Sequence, residues 1–136
     1  MSQRSGGCLC GAVRYEFGGR PRIAVTCHCR ACQHVSDGAS TYVMIVTRSD
    51  LAVVRGMAKA HWMGADSGTR VTREFCEACG RPLFARNEKT PALLAVKVGS
   101  LDDPSDFRPQ IEMWTASAQP WHVLDAACRT FPAIRA

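Results

Sequence analysis

No apolar run in this chain approaches the length needed to span a membrane. The first seven residues, Met1 to Gly7, are polar and lack the apolar core of a secretory signal. A membrane protein is therefore not expected, and a cytoplasmic location is. The chain also lacks a linker-like stretch, a low-complexity tract and an internal repeat, so residues 1–136 read as a single domain. Lys and Arg never adjoin one another, which leaves no basic stripe for nucleic acid. Helix-period patterns are scarce.

What the chain has is cysteine, and most of it is clustered. Seven of eight cysteines fall into Cys8-Leu9-Cys10, Cys27-His28-Cys29-Arg30-Ala31-Cys32 and Cys76-Glu77-Ala78-Cys79. A reducing compartment keeps thiols free, so clustered cysteines there point to metal or catalysis rather than disulfides. Two, three and two ligands do not suit one ion. They suit a closed four-thiolate zinc site plus a three-thiolate site. The charge reading changes accordingly. The formal +5 falls to about +2 once seven thiolates and two divalent ions are counted. That near-neutral balance argues against nucleic acid as a partner.

The rest of the chain reads as short strands separated by turns. Ala12 to Phe17 alternates, with Val13, Tyr15 and Phe17 on one side and Arg14 and Glu16 on the other. Further strands are expected at Ile23–Thr26, Thr41–Thr47, Leu51–Arg55, Lys59–Met63, Arg70–Phe75, Leu83–Arg86, Leu93–Val98 and Ile111–Thr115. Turn signals such as Gly18-Gly19, Asp37-Gly38 and Asn87 to Pro91 separate them. The expected class is mostly β. Arg30 to Val35 is expected to make a turn or two of helix. Trp121, Leu124, Cys128 and Phe131 have helical spacing but lie between Pro120 and Pro132, so helix and irregular chain both remain open there.

Cys8 and Cys10 lie two apart, which on extended chain places both sulfurs on one side. Cys76-x-x-Cys79 has zinc-knuckle spacing. Gly11 and Gly80 follow the two pairs, and each can take a positive φ that turns the backbone sharply past an ion. Together the four would tie residue 8 to residue 79. In the middle cluster Cys27, Cys29 and Cys32 can cover one face of an ion. None of His28, His34, His61 and His122 has a distinctive spacing as a fourth donor. An open, catalytic site and a second structural site fit that spacing equally. Cys128, in an apolar stretch, reads as packing. Trp62, Trp114 and Trp121 read either as core or as walls of a cleft. The corresponding functional alternatives are a zinc-dependent thiol enzyme and a zinc-stabilised binding module, for protein or nucleic acid, with purely structural metals.

Several segments together resemble one family. They are Gly7-Cys8-Leu9-Cys10-Gly11-Ala12-Val13-Arg14-Tyr15, the middle cluster, Phe75 to Phe84, Val98 to Pro104, Trp114, Ser117 and Trp121. The chain is similar to the glutathione-dependent formaldehyde-activating enzymes and the centromere protein V-like proteins grouped with them. The resemblance implies an Mss4-like fold of antiparallel sheets with little helix and two zinc ions. By that pattern Cys8, Cys10, Cys76 and Cys79 hold a structural zinc, and Cys27, Cys29 and Cys32 a catalytic one. It implies a carbon–sulfur lyase of the S-(hydroxymethyl)glutathione synthase type, adding a thiol to formaldehyde or another small electrophile. The expected partner is a small-molecule thiol such as glutathione, with homodimer formation left open. Arg30 is the expected substrate-orienting cation. One position departs from the pattern: where many members carry a histidine two residues before Trp114, this chain has Glu112.

Overall fold

The computed structural model describes residues 3–65 and 67–133. Among them the chain is mostly β. In order it forms β1 (Arg4–Gly7), β2 (Arg14–Phe17), β3 (Ile23–Cys27), the single α-helix α1 (Arg30–Val35), β4 (Thr41–Thr47), β5 (Leu51–Arg55) and β6 (Lys59–Gly64). Then follow β7 (Arg70–Phe75), β8 (Pro82–Asn87), β9 (Leu93–Lys97), β10 (Ile111–Met113) and β11 (Arg129–Phe131). A three-stranded sheet runs β1-β2-β5, and an eight-stranded sheet runs β11-β10-β3-β4-β9-β8-β7-β6.

The alternation of β2 places Tyr15 and Phe17 inward, 0% and 1% exposed, with Glu16 outward. The small sheet lays this face on the large one, against Met44, Val46, Phe84, Leu94 and Val96. Tyr15 meets Phe84 edge-on at 5.1 Å between centroids. Its hydroxyl pairs with Ser100 Oγ at 2.7 Å, so the one polar atom in this aromatic cluster is satisfied. β4 and β9 are nearly continuous apolar runs in the middle of the large sheet. Met44, Val46, Leu94 and Val96 meet the small sheet, while Thr41, Val43, Ile45, Ala95 and Lys97 line the opposite face, where the middle cysteines lie.

Three features add to the expected layout. The sheets are mostly antiparallel, with one exception: β10 runs parallel to both β3 and β11. Parallel neighbours need long connections, and residues 114–128 supply one. The helical spacing from Trp121 to Phe131 gives turns and then β11, not a helix. Asp125 explains this locally: its side chain accepts the Ala127 N–H at 2.9 Å and its carbonyl the Cys128 N–H at 3.1 Å, a turn that competes with helix. Finally β1, Arg-Ser-Gly-Gly, has no strand-forming composition and exists through its pairing with β2.

Candidate metal centres

Cys8 and Cys10 lie in the β1–β2 connection of the small sheet, and Cys76 and Cys79 in the β7–β8 turn of the large one. The structure brings all four sulfurs within 4.8 Å of one another. Cys8 Sγ is 3.6 Å from Cys10 Sγ, and Cys10 Sγ is 3.8 Å from Cys76 Sγ. A tetrahedral zinc with ordinary Zn–S bonds needs sulfur–sulfur edges of about 3.8 Å. A disulfide would need about 2 Å. The four-sulfur group therefore fits a zinc ion. Each knuckle is closed locally: the Gly80 N–H donates to the Cys76 carbonyl at 2.7 Å and the Val13 N–H to Cys8 Sγ at 3.2 Å. Gly11 and Gly80 take φ of +81° and +77°, conformations that a Cβ would strain even though the space around both is open. Burial raises the Cys8 pKa, but the Val13 N–H and the Cys10 and Cys76 thiols outweigh it, and the net shift is down. The Arg81 and Cys10 backbone N–H groups bring Cys79 down to about 6. Against the pull of the Ala12 backbone N–H, Cys10 beside these two is pushed up to about 11 by hydrogen bonding to Cys8, as expected of close thiols with no cation between them.

Cys27 ends β3, Cys29 caps α1 by accepting the Cys32 N–H at 3.3 Å, and Cys32 lies in the first turn. Their three sulfurs also converge within 4.8 Å, and among the described residues no His, Asp or Glu joins them. Three thiols so close cannot all ionise without a cation between them. Cys27 and Cys32 diverge accordingly: hydrogen bonding to Cys29 and Cys32 pushes the Cys27 thiol up, and hydrogen bonds from Cys27 and Cys29 pull Cys32 down. This donor set also fits zinc.

The three cysteines open onto a cavity of about 300 Å³ on the face of the large sheet turned away from the core. Ala85 and Ala95 lie opposite each other on its floor. Arg73, Lys97 and Trp114 also line it. Lys97 is 7% exposed. Burial pushes its pKa down and Arg73 adds to that, while the Cys32 thiolate acts against them. Trp114 sits at φ +59°, rare for a bulky residue and the kind of strain that collects at working sites.

A buried polar network holds the cluster from behind. His28 is 1% exposed, its Nε2–H donating to Glu112 Oε1 at 2.8 Å, with His122 Nδ1 facing its other nitrogen at 3.4 Å. Glu112 Oε2 accepts the Asp125 N–H at 2.6 Å. Gln33, 1% exposed, donates to the His28 carbonyl at 2.7 Å and the Ser117 carbonyl at 2.9 Å. His122 donates from Nε2 to the Gly38 carbonyl at 2.8 Å. His28 and His122 are thus satisfied structural residues, while His34 and His61 are exposed. The position that departs from the family pattern, Glu112, is the partner of His28. Sequence reasoning missed this pair, since it lies 84 residues apart. Truncating Glu112 to Ala leaves the buried His28 Nε2–H without its acceptor and is expected to cost about 1–3 kcal/mol. Glu112→Gln keeps an acceptor and is expected to cost less. Urea midpoints of the two variants test this, and equal, negligible losses would remove the pair from any structural role.

The other expected site residues fall elsewhere. Arg30 is exposed and outside the cavity lining; its guanidinium turns back onto Gln33 Oε1, one helical turn along. Trp62 and Trp121 are 59% and 65% exposed, so neither is core. Cys128 lies outside both sulfur groups and donates to the Pro109 carbonyl at 3.3 Å.

A family model described as glutathione-dependent formaldehyde-activating enzyme matches residues 3–117. Among solved structures the chain is similar to a Rhodobacter sphaeroides protein at 26% identity, covering 72% of this chain and 87% of that one, with a TM-score of 0.58. No curated protein matches the chain. No helix among the described residues is long and apolar enough to cross a membrane.

Proposed function

The chain belongs to the glutathione-dependent formaldehyde-activating enzyme family, and from that premise we propose that it is a zinc-dependent carbon–sulfur lyase joining a thiol, glutathione or similar, to formaldehyde or another small electrophile. One observation carries the reading. Cys27, Cys29 and Cys32 converge at the edge of a cavity, and no fourth protein donor among the described residues joins them. A purely structural second site would need that donor.

Cys8, Cys10, Cys76 and Cys79 would hold a structural zinc, and Cys27, Cys29 and Cys32 a catalytic one. Bound there, zinc supplies Lewis acidity that favours a substrate thiolate at neutral pH. The protein then has three tasks. The polar network through His28, Gln33 and Glu112 fixes the segment carrying the sulfurs. Met113 and Trp114 wall the cavity beside the sulfurs. Lys97 supplies positive charge close to the sulfurs. In the addition the substrate sulfur forms a bond to the carbonyl carbon. The π pair passes to the oxygen, which takes up the proton released by the thiol.

The test is cobalt substitution. Adding glutathione to the cobalt-loaded protein is expected to shift the visible thiolate and d–d bands with saturation. Loss of formaldehyde should follow when the zinc form receives both reactants. A visible spectrum unchanged at saturating thiol would overturn thiol coordination at this site.

A further inference from the structure

The registers of the large sheet place Arg73 and Lys97 on one face with the middle cysteines. Cys27 lies opposite Thr41, and Val43, the next residue of β4 on that face, lies opposite Lys97. Ala95 continues from Lys97 along β9, facing Ala85, and Ala85 faces Arg73 on β7. Sheet spacings put the Lys97 Cα about 12 Å from that of Cys27 and the Arg73 Cα about 12 Å beyond Lys97. Between the two long cations the floor is Ala85 and Ala95, the smallest side chains that still keep a strand regular. Larger residues here would fill the space; alanine leaves a slot.

The charges along this slot are unbalanced. No Asp or Glu is among the described residues lining the cavity. Arg86, which also borders it, is held by Glu74 at 3.0 Å. Arg73 and Lys97 have no such partner: neither forms an ion pair among the described residues, and Arg73 is near enough to disfavour the charge on Lys97. Three thiolates with one divalent ion would carry a single net negative charge against two cations, so the cavity would keep a net positive charge shared by Arg73 and Lys97. Glu74 borders Arg73 and Lys97 from another side but is paired with Arg86, so two cations above an apolar floor, in a cavity lined by no carboxylate among the described residues, favour an incoming anion.

We propose that Arg73 and Lys97 form a carboxylate-reading subsite across the Ala85–Ala95 floor, distinct from the metal ligands, which selects thiols bearing a carboxylate several bonds from sulfur. The inference rests on the thiol-activating reading above and adds the residues that set its specificity. An Arg fork matches a carboxylate in two hydrogen bonds, and Lys adds a point charge from the opposite side. With sulfur at the cysteines and the carboxylate between the two cations, the substrate must be extended. A thiol whose carboxylate sits on the next peptide unit, six bonds from sulfur to the carboxyl carbon, suits this better than thioglycolate, where the count is two. The expected orienting role thereby moves from Arg30 to these two residues.

The experiment uses the full-length cobalt-loaded protein and follows its visible bands. The probes are glutathione, glutathione with its glycine carboxylate capped as the carboxamide, and 2-mercaptoethanol. The wild type is expected to bind glutathione about tenfold or more tightly than the carboxamide, because a charge-assisted pair is lost. Arg73→Gln should make the two affinities converge with both metal ions retained, and Arg73→Lys should restore part of the gap. Lys97→Gln provides a second variant with the same expected convergence. Rising salt should narrow the wild-type gap. Equal wild-type affinity for acid and amide, or an undiminished gap in Arg73→Gln, overturns the subsite and leaves the thiol reading standing. Bands silent to all three thiols overturn the thiol reading and the subsite together.

Discussion

Cys76→Ala is expected to leave the chain unfolded at ordinary temperature. Cys76 is 1% exposed at the end of β7, and its sulfur belongs to the four-sulfur group. That group joins the β1–β2 connection of the small sheet to the β7–β8 turn of the large sheet. It is the cross-link between the two layers whose contact makes the core. Structural zinc contributes on the order of 10 kcal/mol or more of apparent binding free energy. Whole domains are stable by about 5–15 kcal/mol. A three-ligand remnant that binds weakly therefore removes most of the available stability. The far-UV spectrum and metal content of the variant should both collapse, and a strong chelator should do the same to the wild type. A Cys76→Ala protein with a cooperative melt close to the wild-type midpoint would sink the structural role.

Cys29→Ala should behave in the opposite way, folding normally while losing one of two metal ions and the thiol chemistry. Its cluster spans six residues from Cys27 to Cys32. Closing so short a loop restricts the unfolded chain far less than the 8-to-79 link. The segment is also held without metal. β3 pairs with β4 on one side and β10 on the other. Gln33 clamps His28 to Ser117, and His28 is anchored on Glu112. The expected stability change is about 1–2 kcal/mol, in the ordinary range for one substitution. Metal analysis should fall from two ions per chain to one, with the cobalt-thiol response abolished. Unfolding as complete as that of Cys76→Ala would make the middle site structural and remove the basis for an enzyme.

Much of the layout is visible in local pattern. The alternation around Tyr15 foretells which side chains enter the core, and the apolar run Thr41–Thr47 foretells a largely buried strand, with only Tyr42 exposed. The Trp121–Phe131 spacing leaves helix and irregular chain open because apolar period alone does not know about burial: Trp121 and Leu124 are 65% and 44% exposed, and Asp125 sets a turn. β1 is invisible for a related reason. Its Gly-rich sequence has no strand preference of its own, and pairing with β2 imposes the conformation.

The seven clustered cysteines, their two spacings and the glycines behind the outer pairs are fixed by the sequence, because knuckle geometry is local to three or four residues. Spacing joins the outer pairs into one site, and the structure brings their sulfurs together. What surrounds the middle three was decided only by tertiary structure. His28, next to two of those cysteines in sequence, faces the other side of the sheet and is bound by Glu112. Arg30, inside the motif, turns away onto Gln33, while Arg73 and Lys97 reach the cavity from distant strands. Neighbours along a strand point to opposite faces, and residues opposite one another across several strands share one. Proximity in the chain therefore identifies the ligands, and sheet register chooses their company.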